Sequence, residues 1–419
     1  MCEQCPTGTQ GQPGRAASPA GRPASRRRLL TWGLALPASV AVAGVPVGSA
    51  SANAASREGS AFYIAAAGDT LRGIAARFLG NEQRWTEILA LNFRALRHGE
   101  PGPGQKLVLP ESPAGPQSRT FAPLPAAAKP PPVPPEGYRL ERIGDTAYGV
   151  IQGAAQTPFV VTRAGVVVID APPGMATILP QAIARVTDKP VTHFIYSHSH
   201  FDHTGAADRF PDALRVGHAE TARILEANRD PARPVPAVTF KNSYNLEVGG
   251  EKFALRYFGP NHETGNILIS VPRQRLAVMM DMVLPNQAPF RAFGNADSVP
   301  GVLRAHNELA RLDFDTYVGG HMYHWGTPAH VRTSRDFVVD MWNETGKAIA
   351  ATPNGEFFAQ VEPGNTWAAI ELWFSAITDK VETAILPRWV QRLGGVDVWL
   401  RDNIKTMIVA HRADVPKDL

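Results

Sequence analysis

The chain predicts an α+β protein in which two sheets are covered on their outer sides by helices, with a small strand–helix–helix–strand unit in front. Three observations carry this. Between Gly137 and Asp340, short apolar runs of strand length are followed by helical stretches, and that order occurs twice. From Trp367 onward the pattern is helical, with helices expected at 367–381, 386–393 and 396–411. A Pro-rich stretch at 111–135 separates all of this from the small unit at 61–110. With 419 residues and 44% hydrophobic content, the chain exceeds one ordinary domain and can bury a sizeable core.

The formal charge of +4 arises entirely in residues 1–54, which hold five arginines against one glutamate. The remainder is balanced, so steering toward nucleic acid by net charge is excluded. The two cysteines, Cys2 and Cys5, form an N-terminal C-x-x-C with no folded unit around it and read as incidental.

Residues 1–24 are rich in Gly, Pro, Ala and Ser. Ser25-Arg26-Arg27-Arg28-Leu29-Leu30 then opens a charge-free apolar stretch to about Val47, and Ala52-Asn53-Ala54 closes it with a small-x-small cleavage pattern. This order resembles a twin-arginine (Tat) export signal. Residues 1–54 are therefore expected to be a signal peptide, with the rest exported to the periplasm, cell wall or medium and in membrane contact only during transit. A retained anchor is the competing reading, which Pro37 and Pro46 disfavour.

The small unit begins with Tyr63-Ile64. Asp69 or Thr70 caps a helix whose Leu71, Ile74, Ala75 and Phe78 share one face. A second helix carries Trp85, Ile88 and Leu89, and Lys106–Leu109 supplies the closing strand. Gly68-Asp69-Thr70-Leu71 and Pro103-Gly104-Gln105-x-Leu107 in this order resemble a LysM module. That resemblance implies binding of peptidoglycan or another N-acetylglucosamine polymer through Gly68, Asp69, Thr70 and Asn92. A spacer without sugar affinity is the alternative. After it, Pro130-Pro131-Pro132-Val133-Pro134-Pro135 reads as polyproline II, a semi-rigid spacer.

In the main region, strands are expected at 147–151, 159–162, 166–169, 253–258, 267–271 and 276–280, with a helix near 177–186. The apolar run Val191–Tyr196 ends in Ser197-His198-Ser199-His200-Phe201-Asp202-His203, three imidazoles and a carboxylate within six residues. Neutral imidazole suits zinc-like ions and a nearby carboxylate can hold a second one. His198 and His200 project the same way from an extended backbone and can share a metal. His193, inside the strand, reads as a core residue, and His218, His306, His330 and His411 as helix or surface residues.

H-x-H-x-D-H at a strand end resembles the motif of metallo-β-lactamase-fold hydrolases, over roughly residues 137–340. The family's other landmarks follow in order, each after a strand-like run: Asp170, His262 in a Gly-rich turn, Asp281 and His321. The resemblance implies a four-layered αβ/βα sandwich at 136–345, with 346–419 as a C-terminal helical extension packed on it. It also implies two Zn²⁺ per chain: His198, His200 and His262 hold one, Asp202, His203 and His321 the other, and Asp281 bridges them. Asp170 is expected to accept an N–H from a ligand imidazole. Tyr323 and His324 are candidates for the site mouth. With Asp202 and Asp281 as catalytic carboxylates, the implied activity is hydrolysis of an ester, lactone, thioester or amide by a hydroxide between the ions.

Asp281 places the chain nearer glyoxalase II-like and lactonase-like branches, since lactamase branches more often carry Cys or Ser there. The alternatives are a persulfide-dioxygenase-like enzyme with one Fe, a β-lactam hydrolase, or a non-catalytic cell-wall-binding protein. The oligomeric state is not legible.

Overall fold

The structure is a computed structural model that describes residues 61–92, 95–96, 100–110 and 122–414. The expected leader with Cys2 and Cys5, and the first part of the linker, lie outside these residues.

The chain divides into two compact units. In the small one, β1 (Ala61–Ile64) pairs antiparallel with β2 (Lys106–Leu109), with α1 (Leu71–Leu79) and α2 (Trp85–Asn92) between them in sequence. Thr70 caps α1, its Oγ1 accepting from the N–H of Gly73 at 3.1 Å. Leu71, Ile74, Ala75 and Leu79 turn inward, whereas Phe78, expected on that face, is exposed. Gly68 is exposed in the turn before α1, and Asp69 Oδ2 braces that turn by accepting from Tyr63 Oη (2.6 Å) and Ala66 N–H (2.7 Å). Asn92 departs from its expected place in a sugar groove. It is buried, and its carboxamide donates to Ile88 O and Val108 O and accepts from Val108 N–H, so its polar atoms tie α2 to β2.

In the large unit the first sheet runs β3 (Arg139–Arg142), β4 (Ala147–Gln152), β5 (Ala155–Val161), β6 (Val166–Ile169), β7 (Val191–Ile195), β8 (Leu214–His218), β9 (Val238–Phe240), adjacent in that order. It is antiparallel up to β6 and parallel from β6 to β9. The second sheet runs β10 (Ser243–Val248), β11 (Glu251–Arg256), β12 (Leu268–Val271), β13 (Leu276–Val278), β14 (Thr316–Val318), with only the last pair parallel.

Strand periodicity builds the layers, because alternate side chains leave opposite faces. On β6, Val167 and Ile169 enter the core between the sheets, while Val166 and Val168 share a cluster with α3 (Ile178–Ala184) and α5 (Ala219–Asn228); α4 (Phe201–Thr204) is a single turn after β7. On β13, Leu276 and Val278 enter the inter-sheet core, and Ala277 joins the cluster formed by the later helices. Those helices are α7 (Val299–Ala310), α8 (Pro328–Ala350), α9 (Gly355–Phe358), α10 (Thr366–Trp389) and α11 (Val396–Ala413). Helix, sheet, sheet and helix therefore stack as four layers. Each fully buried Leu, Ile or Val contributes about 1.5–3 kcal/mol of transfer free energy. Between β13 and α7, α6 (Ala292–Asn295) is a single turn of unusual hand, described below.

Two expected boundaries shift. The break at 345/346 falls inside α8, whose inner face shares one core with α7, α10 and α11, so no boundary exists there. The helices expected at 367–381 and 386–393 merge: α10 runs on to Trp389, takes in the first half of the second, and accommodates Pro387 in its last turn. Nor does the second half of the linker stand free. Ala128 is fully buried, its carbonyl accepts from Gln287 Nε2 (3.0 Å), and Ala122 N–H donates to Asp397 Oδ2 (2.7 Å). Gln287 needs a partner where it is buried, and Ala128 provides it.

Candidate metal centre

All seven expected ligands come together where the ends of four strands meet. β7 delivers His198 and His200 on extended backbone, and His200 is the N-cap of α4, whose first turn carries Asp202 and His203. His262 arrives on the loop between β11 and β12, Asp281 just beyond β13, and His321 just beyond β14. Ligand atoms of His198, His200, His262 and Asp281 lie within 4.8 Å of one another, and those of Asp202, His203 and His321 form a second group of the same tightness.

Asp281 joins the two groups. Its Oδ2 lies 2.9 Å from His203 Nε2, 3.1 Å from His262 Nε2 and 3.4 Å from His198 Nε2, and its Oδ1 lies 3.1 Å from His321 Nε2. Burial pushes this carboxyl up, but the charges and hydrogen bonds of His203 and His262 outweigh it and hold it well below the usual range. Burial acts against the imidazolium of His321 too, yet Asp202 and Asp281 raise it to about 10. Asp202, exposed to the pocket, is drawn down to about 2, chiefly by His321. His198 and His200 are driven downward by burial and by neighbouring imidazoles.

The chemistry of these donors fits a metal. Ser197 Oγ donates to Asp170 Oδ2 and lies 2.8 Å from His198 Nδ1, which leaves His198 Nε2 as the bare nitrogen. That atom is buried, has no hydrogen-bond partner, and faces a carboxylate oxygen 3.4 Å away. A lone pair against an anion is stable only with a cation in reach of both. Imidazole-rich donors with carboxylates suit zinc-like ions or iron.

Asp170 therefore supports the site differently from the expectation. It touches no imidazole directly. It accepts Ser197 N–H at 2.9 Å and the Ser197 hydroxyl, and reaches His198 through that hydroxyl. Burial lifts its carboxyl to about 7. Asp170 and Asp281 both adopt positive φ, 61° and 65°, which asparagine and aspartate tolerate best after glycine.

Other groups hold the ligands in place. Glu263 is buried, accepting from Ser199 Oγ and from Gly265 N–H at 3.0 Å. Asn266 Nδ2 spans Asn261 Oδ1 and Met280 O, both at 3.0 Å, joining the His262 loop to the residue before Asp281. The Tyr317 hydroxyl donates to Met279 O and accepts from Val283 N–H at 3.2 Å, clamping both flanks of Asp281. Asn261 and Asn266 lie within the Gly-rich turn that flagged His262. Ser197, Glu263 and Tyr317 carried no distinguishing signal.

A cavity of about 420 Å³ opens over the ligands, walled by Ala154, Leu284, Phe290, Gly294, Asn295 and Met322. Apart from the proposed ligands its lining carries no charge. Tyr323 and His324 do not line it. Met322 takes φ 71° and its backbone turns the following residues away: Tyr323 faces Pro130, Pro131 and Val133, and the His324 ring meets Lys129 O at 2.9 Å. Met322 occupies the place expected of them. Among the remaining histidines, His193 is half-buried rather than core, while His218 and His306 are buried, each hydrogen-bonded to backbone.

Fold and site together define a two-sheet αβ/βα protein with a centre suited to metal ions. The sequence signature of the Metallo-beta-lactamase superfamily matches residues 151–321. The alpha subunit of a 2,4-dinitroanisole O-demethylase from Nocardioides sp. (strain JS1661) is 31% identical over 237 residues, covering 53% of this chain and 69% of the subunit. The beta subunit is 27% identical over 165 residues, and a Metallo-beta-lactamase type 2 from Elizabethkingia meningoseptica 28% over 152. This chain spans 51% and 60% of those two. A solved metallo-beta-lactamase from Pontibacter korlensis aligns at 20% identity with a TM-score of 0.43, over 48% of this chain and 99% of that one. The chain belongs to the metallo-β-lactamase superfamily, whose members are generally metal-dependent hydrolases.

Proposed function

We propose that this protein is an exported hydrolase that holds two zinc ions and cleaves an ester, lactone, thioester or amide bond in a neutral, largely apolar substrate. The observation that carries this reading is the convergence of seven ligands beneath a cavity whose remaining walls are uncharged. Its volume falls within the range of small-molecule sites, roughly 300–1,000 Å³. Ions bound there supply a water deprotonated near neutral pH and polarise the oxygen of the bond under attack.

The chain's own residues do the rest. Asp281 sets the spacing of the two donor groups. Asp202, the acidic ligand open to the cavity, would accept a hydrogen bond from the bound water and orient it. Leu284, Phe290 and Met322 exclude bulk water and seat an apolar or aromatic group. Export through the twin-arginine leader and a cell-wall tether through the LysM-like unit complete the proposal, supported by the sequence of residues 25–54 and by the strand–helix–helix–strand order of residues 61–109.

A second reading has a specific basis. One relative, 31% identical over 237 residues, is named for O-demethylation of 2,4-dinitroanisole, so cleavage of an activated aryl ether in the same cavity is the alternative. The test is to purify residues 55–419, count bound metals, and assay aryl esters, thioesters, lactones, β-lactams and 2,4-dinitroanisole. Two zinc-like ions with ester or lactone turnover, abolished by Asp202→Ala in a folded protein, is the expected result. One iron per chain, or activity undiminished by exhaustive chelation, overturns it.

A further inference from the structure

Ala292, Phe293, Gly294 and Asn295 have φ of 50°, 54°, 73° and 60°. Asn295 N–H donates to Arg291 O at 3.2 Å and Ala296 N–H to Ala292 O at 2.9 Å, so α6 is a full turn of left-handed helix. Glycine and asparagine accept this conformation, whereas alanine and phenylalanine are strained in it. Such a turn persists only where its surroundings hold it.

The hold comes from α11. Asn403 is 1% exposed. Its Oδ1 accepts from Phe293 N–H at 3.0 Å and its Nδ2 donates to Pro289 O at 3.2 Å, bracketing the segment that leads into the turn. Trp399, one turn earlier, packs edge-to-face on Phe290 at 5.2 Å. The other side of the turn meets the metal centre. Phe293 O lies 3.5 Å from His262 Nδ1, and a Cβ on Gly294 would sit 2.7 Å from that nitrogen. Phe290, Gly294 and Asn295 also wall the cavity.

We propose that Asn403 is a positioning residue of the metal centre: through the left-handed turn it fixes the ring of His262 and the lip of the substrate cavity. The inference rests on the metal-binding reading above. The C-terminal helices, which contribute no ligand, thereby become part of the site.

The test compares wild type, Asn403→Ser and Asn403→Asp for Zn²⁺ affinity by competition with a chromophoric chelator, and for the visible spectrum of the Co²⁺-loaded protein. Serine is too short to reach both partners. It is expected to weaken Zn²⁺ about tenfold and shift the Co²⁺ bands, as loss of a ligand's support does. Aspartate keeps the acceptor for Phe293 N–H but sets a carboxylate oxygen against Pro289 O, and is expected to fall between serine and wild type. Because the role lies in holding a strained turn, Ala292→Gly, which relieves the strain, should restore affinity to Asn403→Ser. This double variant also stands in for the single one should that fail to fold. A folded Asn403→Ser with wild-type affinity and spectrum, or a double variant that recovers neither fold nor affinity, overturns the inference while leaving the metal centre standing. Wild type that takes up no Zn²⁺ overturns the underlying reading itself.

Discussion

Ser197 sits between a buried carboxylate and a buried imidazole, and one hydroxyl serves both. Ser197→Ala leaves Asp170 with one donor fewer and frees the His198 ring. Support of this kind is worth about 10–100-fold in metal affinity, and the expected loss is read by chelator competition. Gly320 offers a complementary test. At φ 85°, an added Cβ would lie 2.5 Å from His203 Cε1 and 2.9 Å from Met280 Sδ. Gly320→Ala should therefore destabilise the fold by about 1–3 kcal/mol, measured by denaturant unfolding. At this scale the sequence was legible where chemistry repeats a pattern. H-x-H-x-D-H, and single acids or imidazoles at strand ends, declare themselves. A serine or asparagine that works through a neighbour does not, because the same residue types fill ordinary loops.

Among the elements, β14 does more than its three residues suggest. Tyr317 faces away from the inter-sheet core and its hydroxyl fastens the backbone on both sides of Asp281. Tyr317→Phe leaves a buried carbonyl and N–H unpaired, a cost of about 1–3 kcal/mol, and should lower metal affinity along with the unfolding midpoint. Strands such as Val166–Ile169 were readable because they are buried on both faces and continuously apolar. β10 was not: Ser243–Val248 buries only Leu246 and Val248, and its polar alternation resembles a loop. The left-handed turn at 292–295 was equally hidden. Gly294 and Asn295 permit that conformation, but Ala292 and Phe293 argue against it, and the helix that imposes it lies about a hundred residues onward.

For the whole molecule, ligands from both sheets make metal binding and folding one equilibrium. Zinc at a thousandfold above its dissociation constant adds about 4 kcal/mol to stability, so chelation should lower the thermal midpoint without abolishing the fold. The pH dependence of the metal-free protein follows from the site. His321, raised to about 10, stabilises fully below its unfolded value of 6.5, and this contribution is lost as pH climbs toward 10. Asp170, raised to about 7, acts in the same direction over a lower window: its contribution falls from pH 3.8 to about 7 and is flat above that, which leaves His321 to set the trend at higher pH. Asp202, at about 2, contributes above its unfolded 3.8 and loses this only in strong acid. Metal-free protein should thus become less stable from pH 7 to 10, a trend that zinc flattens, observable in paired melting curves. Ligation also needs His321 neutral, so zinc uptake at pH 7 should release a proton, detectable by calorimetry in buffers of different ionisation enthalpy. The two-sheet plan was legible in the order of strand and helix runs. Unity of the helical layer was not, because nothing in the sequence of α8 marks that its halves share one core.

Ala128, enclosed beside Gln287, gives the proline-rich tract a consequence for anyone trimming this protein. A fragment begun at 136, where a reader of composition would cut, strips away a plug and bares an amide donor next to the strained loop. One begun at 122 keeps both. The shorter product should melt earlier and fall sooner to protease, so that what looks like a disposable tether behaves as the first piece of the enzyme itself.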